Sequence, residues 1–221
     1  NITSVEDFKG HTVGSWGYGN EWEIFAGLQK AGLTVDDITL VTQAFDMLGM
    51  LQGDIDAAQA MTYNEYAQVL ESINPDTGKL YQPDEINVID YNKVGVGMLQ
   101  DSLWADADRL ANDPKYEETT VKFLKASIKG WVYAMNDPQK AADIVTAAGS
   151  TLGTSHQLWM ANEVNKLIWP STNGIGFIDE GAWDRTVSIA KTTKNETGAT
   201  ILTDDPPADA HTNKYIQQAL D

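Results

Sequence analysis

Two short segments of the chain carry side chains suited to holding a small ligand. The first, residues 15–21, is a glycine-rich turn between an apolar run and an amphipathic stretch. Its glycines would let the backbone approach a ligand closely, its aromatic rings could stack on a planar molecule, and the following helix would offer free N–H groups. The alternative is an ordinary turn whose aromatic rings pack into the core. The candidate ligand-binding residues here are Trp16, Gly17, Tyr18, Gly19 and Asn20.

The second segment, residues 61–65, also follows an apolar run and opens an amphipathic stretch. Its candidate ligand-binding residues are Tyr63, Asn64 and Glu65. The Glu65 carboxylate could accept hydrogen bonds from an aminopyrimidine or from a ring N–H. The alternative role for Glu65 is structural, because an acidic side chain in the first turn of a helix is stabilised by the helix dipole.

The sequence lacks the patterns of the common enzyme classes. His11, His156 and His211 lie far apart, and there is no cysteine. No nucleophile elbow, histidine pair at metal-ligand spacing or phosphate-cradling loop is present, and the glycines at 14, 17 and 19 do not have the spacing of a dinucleotide fingerprint. We therefore expect no catalytic residue, no metal ligand and no cofactor.

Composition limits the partners further. The chain has 221 residues, of which 42% are hydrophobic, so it can bury a core. Its formal net charge of -17 repels phosphate backbones, and we expect no nucleic-acid partner. No apolar stretch approaches the roughly 20 residues needed to cross a bilayer.

The elements that must position the two segments follow an α/β pattern. Strand-like runs at residues 12–16, 38–41 and 55–61 alternate with helical stretches at 21–30 and 63–73, and Gly32 is placed to end the first helix. This alternation predicts a parallel sheet, at whose carboxyl edge residues 15–21 and 61–65 would face one cleft. Beyond a turn-rich loop at 74–79 and an apolar run at 86–89, the second half is predicted to be mostly helical.

One predicted helix of the second half, beginning near Tyr116, carries apolar residues at three- and four-residue steps, which indicates a face buried in the core. The residues of this face are Val121, Leu124, Ile128, Trp131 and Met135.

Several phrases, in order, resemble the solute-binding proteins of ABC importers. They are SVEDFKG at 4–10, AGLQKAGL at 26–33, LQGDIDAA at 51–58 and MTYNE at 61–65. The resemblance is to the branch that includes bacterial receptors for thiamine precursors and riboflavin and the fungal thiamine pyrimidine synthases. It extends through weaker phrases near 123–131, 136–141 and 176–179.

The resemblance implies a two-lobed, periplasmic-binding-protein-like fold of type II. Residues 1–90 would form the second lobe with a parallel-rich sheet, and residues 91–221 the mostly helical C-terminal part of the first lobe, with a hinge near residues 89–95. The family's opening half-lobe has no counterpart here, so we expect an N-terminal segment or a partner chain to complete the first lobe.

The resemblance also implies a function. The protein would capture a small planar heterocycle, such as a thiamine pyrimidine precursor or riboflavin, and deliver it to the membrane subunits of an ABC importer. We expect it to be periplasmic or extracellular and membrane-tethered in the full-length protein. The alternatives are a pyrimidine synthase-like enzyme, whose cysteine-rich motif is missing here, and the ligand-sensing domain of a signalling protein.

Overall fold

The computed structural model describes all 221 residues and divides them into two compact units. Unit 1 comprises residues 1–99 and 181–206, and unit 2 comprises residues 100–180 and 207–221. The predicted lobes, 1–90 and 91–221, are parts that would move relative to each other when a ligand binds. A division into compact units does not test them, so they stay a prediction.

A three-stranded parallel sheet lies at the centre of unit 1. Strand β1 (Thr12–Ser15) pairs on one side with β2 (Thr39–Thr42) and on the other with β3 (Ala57–Ala58). Gly14 stands opposite Val41 in one pairing and opposite Ala58 in the other. The fold is therefore mixed α/β with a parallel sheet, which is compatible with the periplasmic-binding-like fold expected from the sequence.

Five α-helices belong wholly or mainly to unit 1. They are α1 (Trp22–Lys30), α2 (Leu48–Leu51), α3 (Glu65–Leu70), α4 (Tyr91–Val94) and α9 (Glu180–Thr192), whose first residue belongs to unit 2. The core forms where α1 packs on β1, through Val13, Ile24 and Leu28 together with Val5 and Phe8.

The end of α1 follows the sequence prediction. Gly32 has φ 74°, and the Leu33 N–H donates to the Leu28 carbonyl, as in a left-handed helix cap.

The pairing of strands is less extensive than the sequence suggested. Of the predicted strand 55–61, only Ala57 and Ala58 pair with a neighbour. In the predicted loop 74–79, residues 75–78 form the turn of a short antiparallel hairpin between β4 (Ile73–Asn74) and β5 (Lys79–Leu80). The apolar run 86–89 forms no strand, and of its residues Ile89 packs against the core cluster.

Unit 2 is made of helices, as predicted. They are α5 (Ala107–Asn112), α6 (Pro114–Asn136), α7 (Pro138–Ala147), α8 (Thr154–Ile168) and α10 (Lys214–Leu220). Asp113 and Asp137 are the N-caps of α6 and α7, and each precedes a proline at the first helical position. The Asp113 side chain accepts two backbone N–H groups and the Asp137 side chain accepts one. The Asn213 side chain donates to the Ile178 carbonyl and accepts its N–H. No helix of the chain combines the length and the apolar character needed to span a membrane.

The predicted core face of α6 is only partly buried, so the prediction of a core face was wrong for part of it: Val121, Leu124 and Ile128 are half-buried, and Trp131 and Met135 are exposed. No residue of α6 is buried, and the Trp131 and Met135 side chains are 44% and 38% exposed. The spacing of these residues predicted the helix correctly, but their burial also requires other elements to pack across the whole apolar face. Within unit 2, α6 packs against α5, α7, α8 and α10, and part of its apolar face stays uncovered.

Gly14 supplies the first prediction, because a side chain at the centre of β1 has no room. A Cβ there would lie 2.8 Å from Gln43 Oε1 and 3.2 Å from Ile55 Cδ1. We expect Gly14→Ala to lower the free energy of unfolding by about 1–3 kcal/mol in urea denaturation. The control is Gly130→Ala in α6, where nothing lies within 4 Å and a gain of about 0.5–1 kcal/mol is expected. Equal effects of the two substitutions would contradict the crowding at Gly14.

Candidate functional site

The carboxyl ends of the three parallel strands are joined by two glutamines and a serine. The Gln43 side chain donates to the Gln59 carbonyl at 2.8 Å and accepts the Gln59 N–H at 2.7 Å, while the Gln43 N–H donates to the Ser15 carbonyl. Gln43 follows β2 and Gln59 follows β3, so the Gln43 amide links the two outer strands across the end of β1. We call Ser15, Gln43 and Gln59 the strand-end network.

The strand-end network also holds the first candidate segment in place. Gln59 Oε1 accepts the Ser15 hydroxyl at 3.0 Å, and Gln59 Nε2 donates to the Asn20 carbonyl. The Ser15 hydroxyl in turn accepts the Gly17 N–H. Because Gln59 precedes Met61 by two residues, both candidate segments start from the same edge of the sheet, as the sequence predicted.

Tyr18 is held at the tip of the first segment in a left-handed conformation. Its φ is 55°, between Gly17 at 73° and Gly19 at 100°, and its side chain is fully exposed. A non-glycine residue in this region costs about 1–2 kcal/mol. The strain is balanced by the bonds that fix the turn: the Asn20 N–H and side chain both donate to the Gly17 carbonyl, and the Gly19 N–H donates to Glu21.

Trp16, in contrast, is buried, with only 9% of its surface exposed. Its ring stacks on Phe45 with 6.4 Å between centroids and 17° between planes, and Phe45 itself is 81% exposed. The Trp16 indole N–H is buried without a hydrogen-bond partner, a condition that costs about 1–3 kcal/mol. Trp16 and Phe45 thus form a stacked pair with one ring open to solvent.

In the second candidate segment, Glu65 is turned inward. It is 3% exposed, its Oε2 accepts the Met61 N–H at 2.8 Å and its Oε1 accepts the Asn64 side chain at 2.9 Å. These bonds close the turn before α3 and give Glu65 the structural role that the sequence left open, beside any contact with a ligand. Tyr63 and Asn64 are half-buried. Gln68 connects this segment to the aromatic pair, since its side chain donates to Asn64 and to the Phe45 carbonyl.

The three histidines are not gathered at this edge. His11 lies at the opposite, amino end of β1, where its ring is 3.3 Å from Asp56. The Thr12 N–H and then His11 hold the pKa of Asp56 below its usual value. His156 and His211 belong to unit 2, where His156 is buried and His211 is 3.1 Å from Glu180. No group of three or more histidine or acidic side chains is arranged to hold a metal ion.

Sequence reasoning missed three residues that build this edge: Gln43, Phe45 and Gln59. A partial signal was present, because Gln43 lies two residues after the predicted strand 38–41 and Gln59 lies within the predicted strand 55–61. Phe45 had no such signal, since a lone phenylalanine in a loop is usually buried.

Comparison with known proteins identifies a family. The family model described as "NMT1/THI5 like" matches residues 1–141, which include the whole parallel sheet and both candidate segments. Among curated proteins, no significant match was found.

The strain at Tyr18 leads to the second prediction. Tyr18→Asn should raise the free energy of unfolding by about 1 kcal/mol, because asparagine adopts the left-handed conformation more readily. Tyr18→Ala is the control: it keeps the Cβ that causes the strain and removes only an exposed ring, so a change within about 0.5 kcal/mol is expected. Urea denaturation measures both, and a large loss in the alanine variant would show that the ring packs against the protein.

Proposed function

The chain belongs to the NMT1/THI5-like family, and from this membership we propose that it is the solute-binding receptor of an ABC importer. The family includes transporter solute-binding proteins and thiamine pyrimidine synthases. The proposed ligand is a small planar heterocycle, such as a thiamine pyrimidine precursor or riboflavin. The proposed contacts are those of the two candidate segments, with Phe45 added.

The observation that carries the proposal is the concentration of aromatic rings at the carboxyl edge of the parallel sheet. Tyr18 and Phe45 are exposed at this edge, and Trp16 stacks behind Phe45. Exposed rings held by a rigid backbone favour stacking on a planar ligand, because little conformational freedom is lost on binding. Open α/β sheets generally bind their ligands at this edge.

Polar groups near the rings would give the ligand its orientation. The Asn20 side chain, the half-buried Asn64 and the remaining acceptor capacity of Glu65 can bond to ring nitrogens and amino groups. The unpartnered Trp16 indole N–H supports the same proposal, since a ligand acceptor that reached it would remove the cost of its isolation.

We propose that the protein binds and releases its ligand without covalent chemistry. The enzyme alternative would use His11 or His156 as a base. His11 lies at the amino end of β1, away from the aromatic rings, and His156 belongs to the other unit. Delivery to importer subunits outside the cytoplasm, tethering to the membrane and closure about residues 89–95 are parts of this proposal.

A further part of the proposal concerns unit 2. Its exposed apolar side chains include Phe123 at 58%, Trp131 at 44% and Leu167 at 64%. Large apolar side chains exposed together on one unit are typical of a contact with more protein. We propose that an N-terminal segment of the lobe or a partner chain covers these side chains.

The third prediction tests ligand binding. Calorimetry with riboflavin, thiamine and aminopyrimidines should show binding of at least one, and Tyr18→Ala should weaken it about two- to tenfold through loss of a stacking contact worth about 0.5–1.5 kcal/mol. Tyr133→Ala, which removes a half-exposed tyrosine of α6, is the matched control and should leave affinity unchanged. Mass spectrometry of the released ligand separates a receptor from an enzyme, because a receptor returns the molecule intact. Absence of binding to every planar heterocycle would contradict the proposal.

The fourth prediction concerns the uncovered side chains of α6. The double substitution Phe123→Gln and Trp131→Gln should reduce the fluorescence of the apolar probe ANS and change the free energy of unfolding by less than about 1 kcal/mol. Leu124→Gln in the same helix is the control; this side chain is half-buried within unit 2, and a loss of roughly 2 kcal/mol is expected. If the double variant unfolded as readily as the control, the two rings would be part of the core of unit 2 and not a contact surface.

A further inference from the structure

A cavity lies beside the strand-end network, between β2, α2 and β3, and its volume is about 340 Å³. That volume is at the lower end of the roughly 300–1,000 Å³ typical of small-molecule sites. None of the residues predicted from the sequence lines it. The cavity is lined by Val41, Thr42, Gln43, Ala44, Asp46, Met47, Gly49, Met50, Asp54, Ile55 and Ala58.

The backbone explains why this space exists. The one-turn helix α2 covers this side of the sheet, and Gly49 lets it approach Ile55 so closely that a Cβ would lie 2.9 Å from Ile55 Cδ1. Gly14 makes the same close approach from the sheet. Ile55 is therefore held between strand and helix, and the short α2 leaves the space beside it open.

The lining has two parts of different chemistry. Met47 and Ile55 are buried and make an apolar base, where methionine adapts readily to the shape of a ligand. Asp46 and Asp54 are exposed and add two carboxylates to the lining. No lysine, arginine or histidine lines the cavity, and neither carboxylate forms an ion pair.

Few hydrogen-bonding groups of the lining remain free to bind a ligand. Gln43, the buried amide of the lining, has its oxygen and one N–H engaged by Gln59. Asp46 Oδ1 accepts the Leu48 N–H, which leaves its other oxygen for a cation. The negative potential of the two carboxylates, in a chain of net charge -17, excludes anions and attracts cations.

We propose that this cavity binds a small organic cation that has an apolar body and an ammonium-type head. The body lies on Met47, Met50 and Ile55, and the head lies between the Asp46 and Asp54 carboxylates. Tyr18 does not line this cavity, although Ala44 and Asp46 of the lining flank Phe45 of the proposed stacking site. The cation proposal rests on the cavity lining and not on the function proposed above.

The test uses three probes with the same ring and different charge: benzylammonium, benzyl alcohol and benzoate. Methyl NMR of the protein labelled at its six methionines reports where each probe binds. We expect benzylammonium to shift the Met47 and Met50 methyl signals saturably, benzyl alcohol to bind at least fivefold more weakly and benzoate not to bind. The signals of Met135 and Met160, in unit 2, should not move.

Two double variants with the same net charge test whether the Asp46 and Asp54 carboxylates contact the cation or only contribute to the overall charge of the protein. Asp46→Asn with Asp54→Asn should weaken benzylammonium binding at least fivefold, and the amide oxygen introduced at position 46 can keep the bond from the Leu48 N–H. The control is Asp36→Asn with Asp84→Asn, which changes the net charge equally at exposed sites outside the cavity and should have no effect. Equal binding of the three probes, equal effects of the two double variants, or shifts at other methionines alone would overturn the proposal. Riboflavin or pyrimidine binding is tested separately through Tyr18, which does not line the cavity, so failure of either proposal is distinguishable from failure of the other.

Discussion

The amide exchange between Gln43 and Gln59 is the interaction on which the carboxyl edge of the sheet depends. β2 and β3 are not neighbours, since β1 lies between them, and both strands are short. The Gln43 side-chain amide bonds both the N–H and the carbonyl of the Gln59 backbone, as the backbone of a neighbouring strand would do. It can cross above β1 only because residue 14 is a glycine. Side-chain hydrogen bonds therefore continue the pairing of the strands beyond their last paired residues.

The same network explains how a strained turn persists beside it. Gln59 reaches both Ser15 and the Asn20 carbonyl, so the two ends of the turn that carries Tyr18 are fixed to β3. The hydrogen bonds that fix the turn offset the energetic cost of the left-handed conformation of Tyr18. Backbone strain held in this way by surrounding interactions is common at binding sites. The exposed ring of Phe45 is linked to the same edge through Trp16 and Gln68.

The acidity of the chain also has local structural uses. Asp7, Asp37 and Asp113 accept the backbone N–H groups of Thr3, Thr34 and Tyr116, and these bonds lower the pKa of each carboxyl group. A carboxyl group with a lowered pKa in the folded state stabilises that state above its unfolded pKa, and the contribution is lost as pH falls through the folded pKa. These three carboxylates thus stabilise the starts of turns and helices, whereas of the two that line the cavity only Asp46 accepts a backbone N–H, that of Leu48.

The sequence alone determined the features that depend on near neighbours along the chain. Gly32 ended α1, Asp137 and Pro138 began α7, and the alternation of apolar and amphipathic stretches predicted a parallel sheet, because caps and periodicity involve residues within one or two turns. That parallel strands end at one edge was enough to bring the two candidate segments together.

The tertiary structure decided which side chains at that edge face solvent and which face the protein. It buried Trp16, left Phe45 exposed, turned Glu65 onto its own turn and left the apolar face of α6 partly uncovered. Each of these outcomes depends on partners distant in sequence, such as Gln43 for Gln59. Residue type and spacing do not specify such partners, because burial is a property of what packs across a side chain and not of the side chain itself.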